Sequence, residues 1–301
     1  MASIEGIDVY TSPFILGIYH DPRTKGFSHD GKMHSDRYIS IYSLVTNTEK
    51  RMCIELFEIS VATALLLYLL ATRTAMFGTK LPEDFKLLAK NKDVTFIGGL
   101  IMRHMQIFLN NFCIFQEMQG LNYLSYGVAA MPFFSLFNHS CNPNIQICSR
   151  AKHAVMHVIY PIKKGEQLLN TYAHYAIYDR EARQKKLEGY YFTCDCIPCQ
   201  ENWPLLCHEL QSYNILVKKT ADKVKIQKAL RKLNTYIFIT AEDTVQDKPY
   251  IIEDLLMMVQ VLHECAPMLC LEMFNVIATL TRVYNLIANR FEIPKLWKSE
   301  K

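Results

Sequence analysis

Three cysteines within six residues, Cys194-x-Cys196-x2-Cys199, constrain this chain more tightly than any other feature. Three thiols on one short turn cannot pair off evenly. A tetrahedral zinc ion takes four thiolate or imidazole ligands at about 2.0–2.3 Å, so such a turn calls for one more ligand from a distant segment. Cys141, beside His139 and ahead of Pro143, is the leading candidate, with Cys207, His208 and Cys148 as rivals. A closed set of four thiolates leaves no position for water, which makes the site structural and its metal part of the folding energy.

The redox context agrees. The first 19 residues carry Glu5 and Asp8 where the apolar core of a secretory leader would lie, so the ten cysteines are expected in a reducing compartment, cytoplasmic and/or nuclear. With 301 residues, half of them hydrophobic and 21% charged, the chain can bury a substantial core. A net charge of +4 does not mark a nucleic-acid ligand. The long apolar run at residues 59–72 is short for a bilayer span and reads as a buried core helix, so no membrane partner is expected.

Along the chain, residues 1–40 give weak signals, with turns at Asp21-Pro22 and Ser28-His29-Asp30-Gly31 and a strand near residues 14–19. Helical spacing begins near Ile41 and is closed by Gly78. Residues 95–99, ending in Gly98-Gly99, read as a breaker before a helix over residues 100–109. Short strands are expected at residues 112–115, 125–129, 153–160 and 167–172, with a tight turn at Gly165. A charged helix at residues 179–187 should end at Gly189 in a left-handed cap. Beyond Pro204, residues 205–233, 251–265 and 268–289 read as amphipathic helices of a helical bundle. The basic run from Lys218 to Lys232 reads as a solvated helix face, and His104, His153 and His157 as structural residues.

Two further stretches carry chemistry. Ser135-Leu136-Phe137-Asn138-His139-Ser140-Cys141-Asn142-Pro143-Asn144 joins a polar tetrapeptide to an apolar run, so its donors and acceptors need partners, from an Asx turn at Asn142-Pro143 or from a bound ligand. Gly165-Glu166-Gln167-Leu168-Leu169-Asn170-Thr171-Tyr172 ends a strand on a tyrosine. Together with the cysteine turn, these stretches resemble the SET domain of protein-lysine methyltransferases. In particular they are similar to the SET- and MYND-domain (Smyd) family, and residues 42–51 with the helix through Arg103-His104 resemble its fourth-member-like branch.

That resemblance implies an α+β fold: a compact β-rich SET core with a helical insertion, a zinc-binding post-SET segment and an all-α C-terminal region. The implied divisions are a residual N-terminal segment at 1–35, the helical insertion at 36–100, the SET core at 101–178, the zinc segment at 179–202 and the helical C-terminal domain at 203–301. It implies S-adenosyl-L-methionine as cofactor, held by Asn138 and His139 with Ser135 and Asn110, and Phe192 packed on the adenine. Tyr172 would be the catalytic tyrosine and Tyr190 would line the lysine channel. Cys141, Cys194, Cys196 and Cys199 would hold structural zinc. The substrate would be a protein lysine side chain, and the C-terminal helices would grip a partner. The family's Gly-x-Gly loop and its MYND cysteine cluster have no counterpart before residue 100, where Cys53 stands alone. The alternative is therefore a non-catalytic zinc-stabilised interaction module, or a fragment of a longer methyltransferase.

Overall fold

A computed structural model describes residues 38–119, 121–150, 153–205 and 209–288. The strand expected near residues 14–19, the N-terminal turns and the rival ligands Cys207 and His208 lie outside the described residues. The packing divides into two units, Met1–Cys113 with Val128–Leu136, and Ile114–Gly127 with Phe137–Lys301.

The first unit is built on helices α1 (Tyr38–Tyr42), α2 (Cys53–Arg73), α3 (Phe85–Lys90) and α4 (Lys92–Asn111). Asn91 starts α4, its side chain accepting from the amides of Asp93 and Val94, which satisfies two of the donors a helix start leaves open. Helix α4 then runs straight through Gly98-Gly99, where the sequence had suggested a break. Each glycine costs only about 1 kcal/mol in a helix, and the amphipathic stripe with Val94, Ile97 and Ile107 buried outweighs it. Gly98 also permits close packing, because a Cβ there would lie 2.8 Å from Leu67 Cδ2 of α2.

Helix α2 corrects a second expectation. It is not enclosed: only Ile59, Thr63, Ala71 and Thr72 are buried, a stripe at four-residue spacing that packs on one neighbour. Ile54, Phe57, Val61, Leu65, Leu66 and Leu69 are exposed. At 21 residues the helix is also longer than the apolar run suggested. By length and composition alone it is the one helix among the described residues that could cross a membrane. Arg51 is buried against the same unit, donating to the backbone oxygens of Thr46 and Gln106 and to Asn110 Oδ1.

Strands β1 (Phe112–Gln119) and β2 (Asn122–Ala130) pair as a two-stranded ribbon, both longer than expected. The second unit holds two more two-stranded sheets. Strands β4 (Ile145–Arg150) and β5 (His153–Val158) form an antiparallel hairpin in the register Ile145↔Val158 to Arg150↔His153. Strands β3 (Asn138–His139) and β6 (Leu169–Asn170) pair in parallel over two residues. The expected strand at 167–172 is thus confined to its middle. Gly165 takes the positive φ of 95° that the turn before β6 requires.

After β6 come α5 (Arg180–Glu188), α6 (Ile197–Gln200), α7 (Tyr213–Leu216), α8 (Thr220–Leu230), α9 (Leu233–Ala241), α10 (Tyr250–Cys265) and α11 (Leu271–Ala288). The single helix expected over residues 205–233 is split, because Ser212 caps a one-turn helix whose Val217 closes it. Helix α9 carries a weak apolar pattern that sequence reading passed over. Pro249 and Pro267 bracket α10, as their missing N–H groups favour. Leu255, Leu262, Val276, Leu280 and Val283 are wholly buried among α10 and α11, and each such side chain contributes roughly 1.5–3 kcal/mol by leaving water. The basic run is exposed and internally paired, Lys225 with Glu264 and Lys232 with Asp254. His157 stacks on Tyr284 at 4.0 Å, a packing role.

Candidate active site and cysteine centre

The site begins with the two-residue parallel pairing, Asn138 opposite Leu169 and His139 opposite Asn170. Two residue pairs alone would be weak, and side chains extend them. The Ser140 amide donates to Asn170 O at 2.8 Å. Asn144 acts as a clasp: Oδ1 accepts from Leu169 N at 2.7 Å and Nδ2 donates to Gln167 O at 2.9 Å. The local turn is closed by Ser140, whose Oγ donates to Asn142 O and accepts from Asn142 N. The expected Asx bond is not what closes it, since Asn142 Oδ1 receives the Tyr160 hydroxyl at 3.4 Å.

This clasp fixes His139 against Tyr172. The Tyr172 amide donates to His139 Nδ1 at 2.9 Å, and the Tyr172 hydroxyl donates to Phe137 O at 2.7 Å. The two rings lie 5.1 Å apart. Because Nδ1 accepts from an amide, the neutral ring carries its proton on Nε2. Nε2 lies 3.3 Å from Cys141 Sγ. Burial pushes the His139 imidazole down to about 4, which keeps it neutral in this position.

The remaining aromatic residues arrive from the segment after α5. Asp179 caps that helix through the Ala182 amide. Gly189 does not adopt the expected left-handed cap but stays right-handed at φ −63°. The left-handed residue is Tyr191, at φ 62°, a conformation that costs a non-glycine residue roughly 1–3 kcal/mol. It stands between two residues that meet the same ring: Tyr190 at 4.8 Å and Phe192 at 6.5 Å from Tyr172. Phe192 is also 6.0 Å from His139 and keeps 38% of its surface exposed.

Next to this cluster the sulfurs of Cys141, Cys194, Cys196 and Cys199 all lie within 4.8 Å of one another. Cys141 and Cys199 are 3.5 Å apart at sulfur. Ligands of a tetrahedral ion at 2.3 Å would be spaced by about 3.8 Å, so the set fits zinc with small adjustment. Two devices place the distant pair. Gln184 of α5 grips Cys194 twice, Nε2 to its carbonyl at 2.8 Å and Oε1 from its amide at 3.0 Å. Cys196 opens α6, whose first turn holds Pro198, and accepts the Cys141 amide at 3.4 Å. Hydrogen bonding from the Cys141 thiol, together with that amide, holds Cys196 well below the usual thiol range, while the same bond and burial push Cys141 up. A divalent cation held by the four sulfurs would favour their ionised forms.

The geometry unites Tyr172, Tyr190, His139 and Phe192 with all four chosen cysteines. Asn138 leads β3 and is exposed. Cys148 is not in the sulfur group and lies in the core with Tyr284. Asn110 and Ser135 belong to the first unit, where Ser135 Oγ donates to the backbone oxygens of Asn111 and Met131 and Asn110 Oδ1 accepts from Arg51. Sequence reading missed Asn144, Gln184 and Arg183. The spacing of Arg183 and Leu187, four apart on one helix face, was the available signal, since both are wholly buried.

Residues 30–173, which hold the β3–β6 pairing, His139 and Tyr172, match the SET domain family. Within that class the chain is similar to SET- and MYND-domain protein-lysine methyltransferases. It is 35% identical over 96 residues to histone-lysine N-methyltransferase SMYD3 of Mus musculus, covering 32% of this chain and 21% of the relative. It is 28% identical over 153 residues to N-lysine methyltransferase SMYD2 of Homo sapiens, covering 50% of this chain and 33% of the relative. A SET and MYND domain-containing protein of Dictyostelium discoideum is 38% identical over 73 residues, 24% of this chain and 19% of the relative. The chain therefore matches a third or less of the length of these relatives.

Proposed function

We propose that this chain transfers a methyl group from S-adenosyl-L-methionine to the side-chain nitrogen of a protein lysine, with a structural zinc in its four-cysteine centre. The observation that carries the reading is the convergence of His139, Tyr190 and Phe192 on the single ring of Tyr172. The fit to the cofactor rests on chemistry: the half-open face of Phe192 suits a flat purine, and the exposed Asn138 amide offers both a donor and an acceptor. When bound, the cofactor supplies an electrophilic methyl group.

The chain's own residues orient the amine. While it donates its proton to Phe137 O, the Tyr172 hydroxyl oxygen keeps the capacity to accept. It can therefore hold an amine N–H and aim the nitrogen lone pair away from itself. The tyrosine rings form an apolar wall that excludes water and disfavours the ammonium form of a lysine, whose ordinary pKa is about 10.4.

Calorimetry with zinc-replete protein tests this reading. Micromolar binding of S-adenosylmethionine that is lost in Asn138→Ala and Phe192→Ala, followed by methyl transfer to lysine-containing proteins, supports it. Absence of binding in folded, zinc-loaded protein refutes it and leaves the second reading, a non-catalytic interaction module. The exposed apolar side of α2 favours that second reading. A cytoplasmic or nuclear setting is part of the proposal. Neither a nucleic acid nor a membrane belongs to the proposal.

A further inference from the structure

We infer that Arg183 is the counter-charge of the four-cysteine centre, a positioning residue that adapts this pocket to a dication held by thiolates. The inference rests on the zinc reading above and goes beyond it by assigning the residue that balances the centre electrically.

Arg183 is wholly enclosed and heads the largest fully buried side chains among the described residues. Its Nη1 donates to Tyr178 O at 2.8 Å and its Nη2 to Pro198 O at 3.2 Å, and Nη2 also lies 3.9 Å from Cys199 Sγ. Nε is buried with no partner. Among the described residues no carboxylate forms an ion pair with it. A guanidinium taken from water without an anion costs several kcal/mol, even when some of its donors are satisfied.

Neutral thiols do not offset that cost. A divalent ion bound by four thiolates carries two negative charges in excess, spread over the sulfurs. Arg183 meets that excess through Cys199, and His139 meets it from another side through Nε2–H and Cys141. A guanidinium has no lone pair to offer the metal, so it can sit beside the sulfurs without competing as a ligand. The two carbonyls fix its plane, and Pro198 lies within the same turn as Cys196 and Cys199. The residue that balances the charge is thus anchored to the turn that supplies it.

The test uses the full chain with wild type, Arg183→Met, Arg183→Gln and Arg183→Lys. Zinc content and zinc affinity are measured by competition with a chromophoric chelator, and the sulfur-to-metal charge-transfer band is recorded after cobalt substitution. Wild type should bind one zinc, and wild type that binds none overturns the zinc reading and this inference with it. Arg183→Met and Arg183→Gln should lose about 10–100-fold in zinc affinity and shift the charge-transfer band to lower energy, because the sulfurs lose a neighbouring positive charge. Arg183→Lys should retain most of the affinity and the wild-type band. Neutral variants with wild-type affinity and band position overturn the inference. So does an Arg183→Lys that falls as far as Arg183→Gln with the band unmoved, since Arg183 would then be a hydrogen-bonding pin alone. Should Arg183→Met fail to fold, the comparison of Gln with Lys decides.

Discussion

The imidazole of His139 touches Cys141 and Tyr172 at once: Nε2 is 3.3 Å from the cysteine sulfur and Nδ1 accepts the tyrosine amide at 2.9 Å. One ring therefore joins the proposed metal centre to the proposed methyl-transfer pocket. Chelation of zinc should abolish binding of S-adenosylmethionine, although no cysteine is assigned to that cofactor. His139→Ala should lower zinc affinity about tenfold or more, as loss of a partner behind a ligand does. Calorimetry before and after chelator treatment measures the coupling, and unchanged cofactor affinity in metal-free protein would disprove it.

Tyr172→Phe separates chemistry from folding. The lost bond to Phe137 O should cost about 1 kcal/mol of stability by urea unfolding. Methyl transfer in a single-turnover assay should fall by about a hundredfold, as when a preorganised hydrogen-bonding group is removed from a reacting centre. Activity within twofold of wild type would remove Tyr172 from the reaction.

His174 gives a pH signature. Burial, with the Arg183 charge as a lesser cause, pushes its imidazole down from 6.5 to about 4. Above pH 6.5 neither folded nor unfolded chain carries the proton, and the stability is complete. Between 6.5 and about 4 the unfolded chain takes up a proton that the native state refuses, so stability falls as pH falls. Below about 4 this contribution levels off. Urea midpoints at pH 7.5 and 5 should differ less in His174→Phe than in wild type. Equal differences would show that His174 titrates normally in the fold.

The two glycines inside α4 should respond differently to alanine. A Cβ at Gly99 meets nothing within 4 Å, so Gly99→Ala should stabilise by about 0.5–1 kcal/mol. At Gly98 the same gain is offset by the approach to Leu67 Cδ2 at 2.8 Å, and the substitution should be close to neutral. Thermal unfolding of both variants checks the ordering Gly99→Ala above Gly98→Ala.

Much of the site was legible because its chemistry is written in residue types that have few other uses at such spacing. Cys194, Cys196 and Cys199 call for a shared metal ion and a fourth ligand, for which Cys141 is the leading candidate in the sequence. Tyr172, Tyr190 and Phe192 came from family resemblance, since isolated aromatic residues carry no signal of their own. Arg183, Gln184 and Asn144 stayed hidden because long polar side chains bond backbone atoms far away in sequence, as Gln184 does to Cys194. The break assigned at Gly98-Gly99 failed because a modest local penalty yields to packing along a whole helix. The burial assigned to α2 failed because hydropathy does not say whether a neighbour is present on every side.

The pairing of Asn138 with Leu169 joins segments made far apart in time. The β4–β5 hairpin between them can close as soon as it is synthesised, because its partners are near neighbours in the chain. Strand β3 must wait for β6, and Cys141 must wait longer, until Cys199 has left the ribosome. During synthesis this chain therefore carries a finished hairpin and a helical layer well before it carries a place for a cofactor. The sites proposed for the metal and for methyl transfer come together at one late moment, when the last cysteine arrives.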